Sequence, residues 1–111
     1  MAATTAGRVP RISRLLALAH RFQGMLDRGE VESMADIARL GRVSRARISQ
    51  VMDLLLLAPD IQEEILFLPA MESGRDAITL REVRAVCAEE EWKEQRERWR
   101  FLKIDSARLK T

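Results

Sequence analysis

The 111 residues are 47% hydrophobic and 32% charged with a net charge of +2, which suits one soluble globular domain and excludes a disordered or fibrous chain. One cysteine, Cys87, and one histidine, His20, exclude an internal disulfide, a cysteine-built zinc site and a histidine metal cage, and they leave little for acid–base catalysis. The longest apolar run, 54–59, is far shorter than the roughly 20 residues of a membrane helix, and the opening M-A-A-T-T-A-G-R lacks the apolar core of a secretory signal. The expectation is therefore a cytoplasmic, nucleoid-associated binding module, not an enzyme, with no cofactor, no small-molecule substrate and no membrane contact.

Helical spacing recurs throughout, and no stretch of four or more residues alternates apolar and polar as a half-buried strand would. The expected fold is all-α, a five- to six-helix bundle. Residues 1–8 read as a disordered tail, and Pro10 suits the first turn of a helix. From there Ile12, Leu15, Leu16, Ala19, Phe22 and Leu26 form one apolar stripe. Arg14, Arg21 and Arg28 recur every seven residues on the other side, and Gly29 ends the helix.

Ser33 is an N-cap with Asp36 three residues on, opening a short helix over 34–40 that stops at Gly41. Ser44 caps a longer helix to about residue 57, ended by Pro59. Asp60 and Glu63 cap a helix over 61–68, Thr79 and Glu82 form a capping box for 80–88, and a charged helix runs from 90 to about 103 before a frayed end.

The informative stretch is 33–53, S-M-A-D-I-A-R-L-G-R-V-S-R-A-R-I-S-Q-V-M-D: a short capped helix, a tight turn and a second capped helix, the arrangement of a helix-turn-helix. Ala38 is small where the helices cross, Val43 plugs the turn, and Ile48 and Val51 bury the inner side of the second helix. Leu40-Gly41 falls one residue early, which leaves Arg42 where glycine is more common. With Ile48 at the centre of the buried side, Arg45, Ala46, Arg47, Ser49, Gln50 and Asp53 point outward, the residue types that read base edges. Arginine forks onto guanine, glutamine onto adenine, and a methyl lies against thymine. Ser44 with its helix N-terminus, Arg39 and Arg42, joined by Arg14 and Arg21, are candidate phosphate contacts.

Charge distribution agrees. Residues 1–58 hold nine arginines and no lysine against five acids, whereas residues 59–111 hold ten basic and twelve acidic residues. Arginine offers the rigid fork that matches phosphate or guanine. The expected partner is double-stranded DNA.

The run G-R-V-S-R-A-R-I-S-Q-V-M-D-L-L-L-L-A-P-D-I-Q-E-E-I-L resembles the central DNA-binding domain of ParB-type partition proteins and their KorB-like and nucleoid-occlusion relatives. There a G-x-S-R-S-x-V recognition helix leads into L-x-L-P-E-E-V-Q-E-L-I. Gly41, Ser44, Arg45, Ile48, Leu54, Leu55, Leu57, Pro59, Asp60, Ile61, Gln62, Glu63 and Ile65 match in kind, with one alanine inserted before the proline. The resemblance spans roughly residues 10–88 and implies that Ser44, Arg45, Arg47, Ser49 and Gln50 face an operator. No G-x-x-R-R nucleotide box is present, so the family's CTP-dependent clamp is not expected, nor is its C-terminal dimerisation domain. This points away from partition and toward transcription control or assistance to a DNA-processing enzyme. The expected organisation is a tail over 1–8, a DNA-binding domain over 9–88 and a charged C-terminal helix over 89–111.

Three further features stand out. In the leucine run 54–57, Leu55 belongs to the core, while Leu54, Leu56 and Leu57 need cover from the following helix. Trp92, Gln95, Trp99 and Leu102 form one face at 3-4-3 spacing. That face either docks on the chain's own bundle or anchors a homodimer or a protein partner, the latter giving an adaptor subunit as the competing function. His20 reads as structural and Cys87 as a buried, inert thiol.

Overall fold

The computed structural model describes residues 7–71 and 76–110, which form six α-helices and no strand. In order these are α1 Arg11–Asp27, α2 Met34–Gly41, α3 Arg45–Met52, a 3-10 turn Asp53–Leu56, α4 Pro59–Leu66, α5 Leu80–Cys87 and α6 Trp92–Lys110. The all-α expectation holds. Residues 1–6 of the expected tail lie outside the described residues. Arg8 corrects that expectation: its backbone exchanges two 2.7 Å hydrogen bonds with Met71 in an isolated β-bridge. Its guanidinium pairs with Asp76 at 2.6 Å.

Local chemistry sets most helix ends. Ser33 accepts the Asp36 amide, and Ser44 accepts the Arg47 amide at 3.0 Å. Thr79 and Glu82 complete the reciprocal capping box. Gly29 closes α1 with φ +72°, a conformation open to glycine at little cost. Pro10 stands at the N-cap of α1 rather than inside its first turn, and its carbonyl accepts the Ser13 and Arg14 amides.

Three boundaries differ from expectation. The helix after Ser44 stops at Met52 and tightens into the 3-10 turn, because the chain must become extended at Ala58 (φ −55°, ψ 144°) ahead of Pro59. At three residues per turn, Leu54 and Leu57 eclipse on one face and both are buried. Leu55 is only half-buried and Leu56 faces out. α4 begins at Pro59 with no side-chain cap, and Asp60 instead receives two hydrogen bonds from Arg96, at 2.9 and 3.0 Å. α6 continues to Lys110 rather than fraying near 103, its later turns tied down by Lys103–Glu64 (2.7 Å) and by the Ser106 hydroxyl on the Ala77 carbonyl (3.2 Å).

Two apolar cores share α1 as a spine. The larger takes Ile12 and Leu16 from the N-terminal half of α1, Leu54 and Leu57, Ile61 and Ile65 of α4, Val83 and Val86 of α5, and Trp99 of α6. The smaller packs Phe22, Met25 and Leu26, from the far half of α1, against Ile37, Ala38 and Ile48 of α2 and α3. The buried Ser13 hydroxyl donates to the Ile65 carbonyl at 2.5 Å, whereas the buried Trp99 indole N–H has no hydrogen-bond partner among the described residues. Gln95 bonds three backbone groups.

The last helix docks on the chain's own bundle through Trp99, the first of the two placements its tryptophan face allowed. Trp99 is 2% exposed, so it is unavailable to a partner, and Leu102 packs against the same core. Of the expected partner face Trp92 is half exposed and Leu102 only partly so. Cys87 is buried, as expected, and burial with the nearby Asp53 carboxylate pushes its thiol up to about 12. His20 is exposed and meets the Gln62 side-chain oxygen at 2.7 Å. No described helix is long and apolar enough to cross a membrane.

Candidate nucleic-acid interface

α2 and α3 are joined by Arg42, Val43 and Ser44 alone, and both pack on the C-terminal half of α1. The chain reverses at Arg42, whose φ of 55° and ψ of 40° lie in the left-handed region. Because Gly41 arrives one position early and is spent inside α2, a non-glycine residue carries this conformation, which costs on the order of 1–2 kcal/mol. The turn is held by the Val43 amide on the Ala38 carbonyl (3.1 Å) and the Arg42 amide on the Arg39 carbonyl (3.3 Å). Ala38 is buried where the two helices meet.

On α3, Ile48 and Val51 face inward. Ser44, Arg45 and Ala46 are exposed, while Ser49 and Gln50 are half-buried and have no side-chain hydrogen-bond partner among the described residues. Arg42, Arg45 and Arg47 likewise have no carboxylate partner among the described residues. Arg45, Ala46, Ser49 and Gln50 thus share one side of α3, exposed at its start and partly covered at Ser49 and Gln50, with Arg42 and the Ser44 cap at one end of it.

Other expected site residues are placed differently. Arg47 turns toward α1, about 160° around the helix from Arg45 and Ser49 at 100° per residue. There it lines an apolar cleft of about 410 Å³ with Leu18, Arg21, Phe22, Leu40 and Val43. Val43 does not plug the turn: it is 45% exposed and forms part of the cleft's rim. Asp53 faces α5, where Arg84 approaches it at 3.6 Å, so its carboxylate is engaged within the chain. Arg39 is ion-paired with Asp36. The Asp36 carboxylate is held below the usual range, first by the Glu32 amide that donates to it and then by Arg39. Arg14 and Arg21 are exposed on α1, two helical turns apart.

Two features escaped the sequence reading. Arg84 is brought beside the end of α3 only by the docking of α5, and nothing local signals it. The cleft had a faint signal: Leu18 and Leu40 are apolar residues off the main stripes of their helices. Among the described residues no cluster of histidine, cysteine and carboxylate groups is suited to a metal ion.

The fold and this surface define an all-α protein presenting a short helix, basic at its start, on a two-helix unit. Compared with protein-family models, with curated proteins and with solved structures, the chain matches none.

Proposed function

We propose that the protein binds double-stranded DNA sequence-specifically by laying α3 in the major groove, and that it serves as a small transcriptional regulator or an accessory factor to a DNA-processing enzyme. One observation carries this reading. Arg45 and Ala46 are exposed, Ser49 and Gln50 on the same side of the helix are partly exposed, and neither Arg42 nor Arg45 has an acidic partner among the described residues.

Small and polar side chains admit a helix into the groove, and no bulky apolar group stands on this surface between Ser44 and Gln50. Arg45 and Gln50 supply bidentate donors and acceptors for guanine and adenine, Ser49 a hydroxyl for either, and Ala46 a methyl for thymine. Arg42 and the Ser44-capped helix start grip phosphate. Arg39 joins them by exchanging Asp36 for a phosphate, since an exposed ion pair is worth only about 0–1 kcal/mol. Arg14, exposed on α1, adds a cation suited to a backbone contact. Asp53 holds Arg84 beside the interface instead of reading a base.

Selection of bound duplexes from a random pool at two salt concentrations tests the proposal. The expected result is an enriched sequence at both, with affinity that falls steeply as salt rises. Absence of any salt-dependent affinity for duplex DNA overturns it.

A further inference from the structure

The α1–α3 cleft and the outer side of α6 are complementary surfaces of one chain. The cleft floor and rim are apolar, with Leu40 69% exposed, Val43 and Leu18 beside it, and Arg21 and Arg47 at its edges. Neither arginine has an ion-pair partner among the described residues. The outward stripe of α6 has the opposite character. Glu94, Glu97, Phe101 and Ile104 follow one another at 3-4-3 spacing, so they line one helical ridge. Phe101 is 70% exposed, Ile104 is 48% exposed, and Glu94 and Glu97 have no cationic partner among the described residues.

The two surfaces also match in length. Leu15 to Met25 along the cleft and Glu94 to Ile104 along the ridge each span ten residues, about 15 Å of helix. Trp99 and Gln95 fix the ridge's orientation, because they bury the opposite side of α6 and leave Phe101 no place in the chain's own core.

We infer that the cleft is the docking site for a second copy of this chain, whose α6 ridge seats Phe101 and Ile104 among Leu18, Leu40 and Val43 while its Glu94 and Glu97 meet Arg21 and Arg47. The two contact surfaces differ, and the arrangement we infer is the open head-to-tail one, in which the row of copies keeps a free cleft at one end and a free ridge at the other; a reciprocal two-fold pair would fill both and stop at two chains. The head-to-tail contact leaves Arg45 and Ser49, on the far side of α3 from Arg47, uncovered. If the DNA reading above holds, on which this clause alone rests, copies so related match directly repeated half-sites rather than inverted ones.

Sedimentation of the DNA-free protein tests the inference. The wild-type chain, 12.7 kDa, should show an average mass that climbs past two chains as concentration rises. Leu40→Asp removes the cleft and Phe101→Asp the ridge. Both residues are exposed, and circular dichroism verifies that each variant keeps its helices. Each variant alone should run as a single chain. Mixed one to one, they should form a complex of two chains and nothing larger, since each supplies the surface the other lacks. A wild-type protein that stays a single chain at every concentration overturns the inference and leaves the cleft to another occupant. So does a mixture that stays monomeric, or a single variant that associates like wild type. Because no DNA is present, these outcomes are independent of the DNA proposal.

Discussion

Gln95, in the second half-turn of α6, accepts the backbone amide of Ala58 at 2.8 Å, joining the last helix to the residue just before α4. Its side-chain nitrogen donates to the Leu56 and Glu89 carbonyls, each at 3.1 Å. One buried amide thus satisfies three backbone groups from two segments that neither helix nor strand can pair. Replacing it with leucine fills the space but orphans the Ala58 N–H. Gln95→Leu is expected to destabilise the fold by about 3 kcal/mol, lowering the melting temperature by about 10 °C. Calorimetry decides, and a loss under half a kilocalorie would show the clamp to be dispensable.

Arg42 carries a left-handed backbone that glycine adopts without strain. Arg42→Gly and Arg42→Ala remove the same guanidinium, yet the glycine variant should be more stable than the alanine variant by about 1 kcal/mol. Chemical denaturation of the pair measures the difference. Equal stability would mean that the turn relaxes when the arginine is removed.

On DNA the same position separates two roles. Arg42→Ala is expected to weaken binding to all sequences alike and to shallow the salt dependence by about one unit. Arg45→Ala and Gln50→Ala should each lose about 1–3 kcal/mol on the preferred sequence only. Titrations against the selected and a scrambled duplex read out both patterns, and a uniform loss for all three variants contradicts the assignment.

Asp60 titrates below the usual carboxylate range, chiefly because Arg96 donates two hydrogen bonds to it. A group whose folded value is depressed stabilises the fold fully above its unfolded value, about 3.9 for aspartate. The contribution is lost as pH falls through the lower folded value. Thermal melts across pH 2 to 5 should therefore show a steeper acid loss for the wild-type chain than for Asp60→Asn. Superposed curves would remove the ion pair from the account.

The Cys87 thiol, pushed up to about 12, stays protonated at neutral pH and is buried on the inner side of α5. A thiol reagent at pH 8 should leave it unmodified in the folded chain and label it rapidly in denaturant. Comparable rates in the two conditions would show that the larger core opens there.

Much was determined by sequence alone, where the deciding atoms lie within a few residues of one another. Ser33, Ser44 and the Thr79–Glu82 box start helices through bonds three residues long, and the early glycine already placed Arg42 where glycine is more common. The apolar side of each helix was legible from its period in the same way. Tertiary structure alone decided which element covers each side. Gln95 and Trp99 proved to belong to the core, while Phe101, two positions past Trp99, was left outside. Arg47 was drawn away from Arg45 toward α1, and Asp53 was claimed by Arg84. A helical period reveals that a stripe will be buried, but the identity of its neighbour depends on contacts such as Gln95 with Ala58, 37 residues apart. Only the docking of whole helices brings such pairs together.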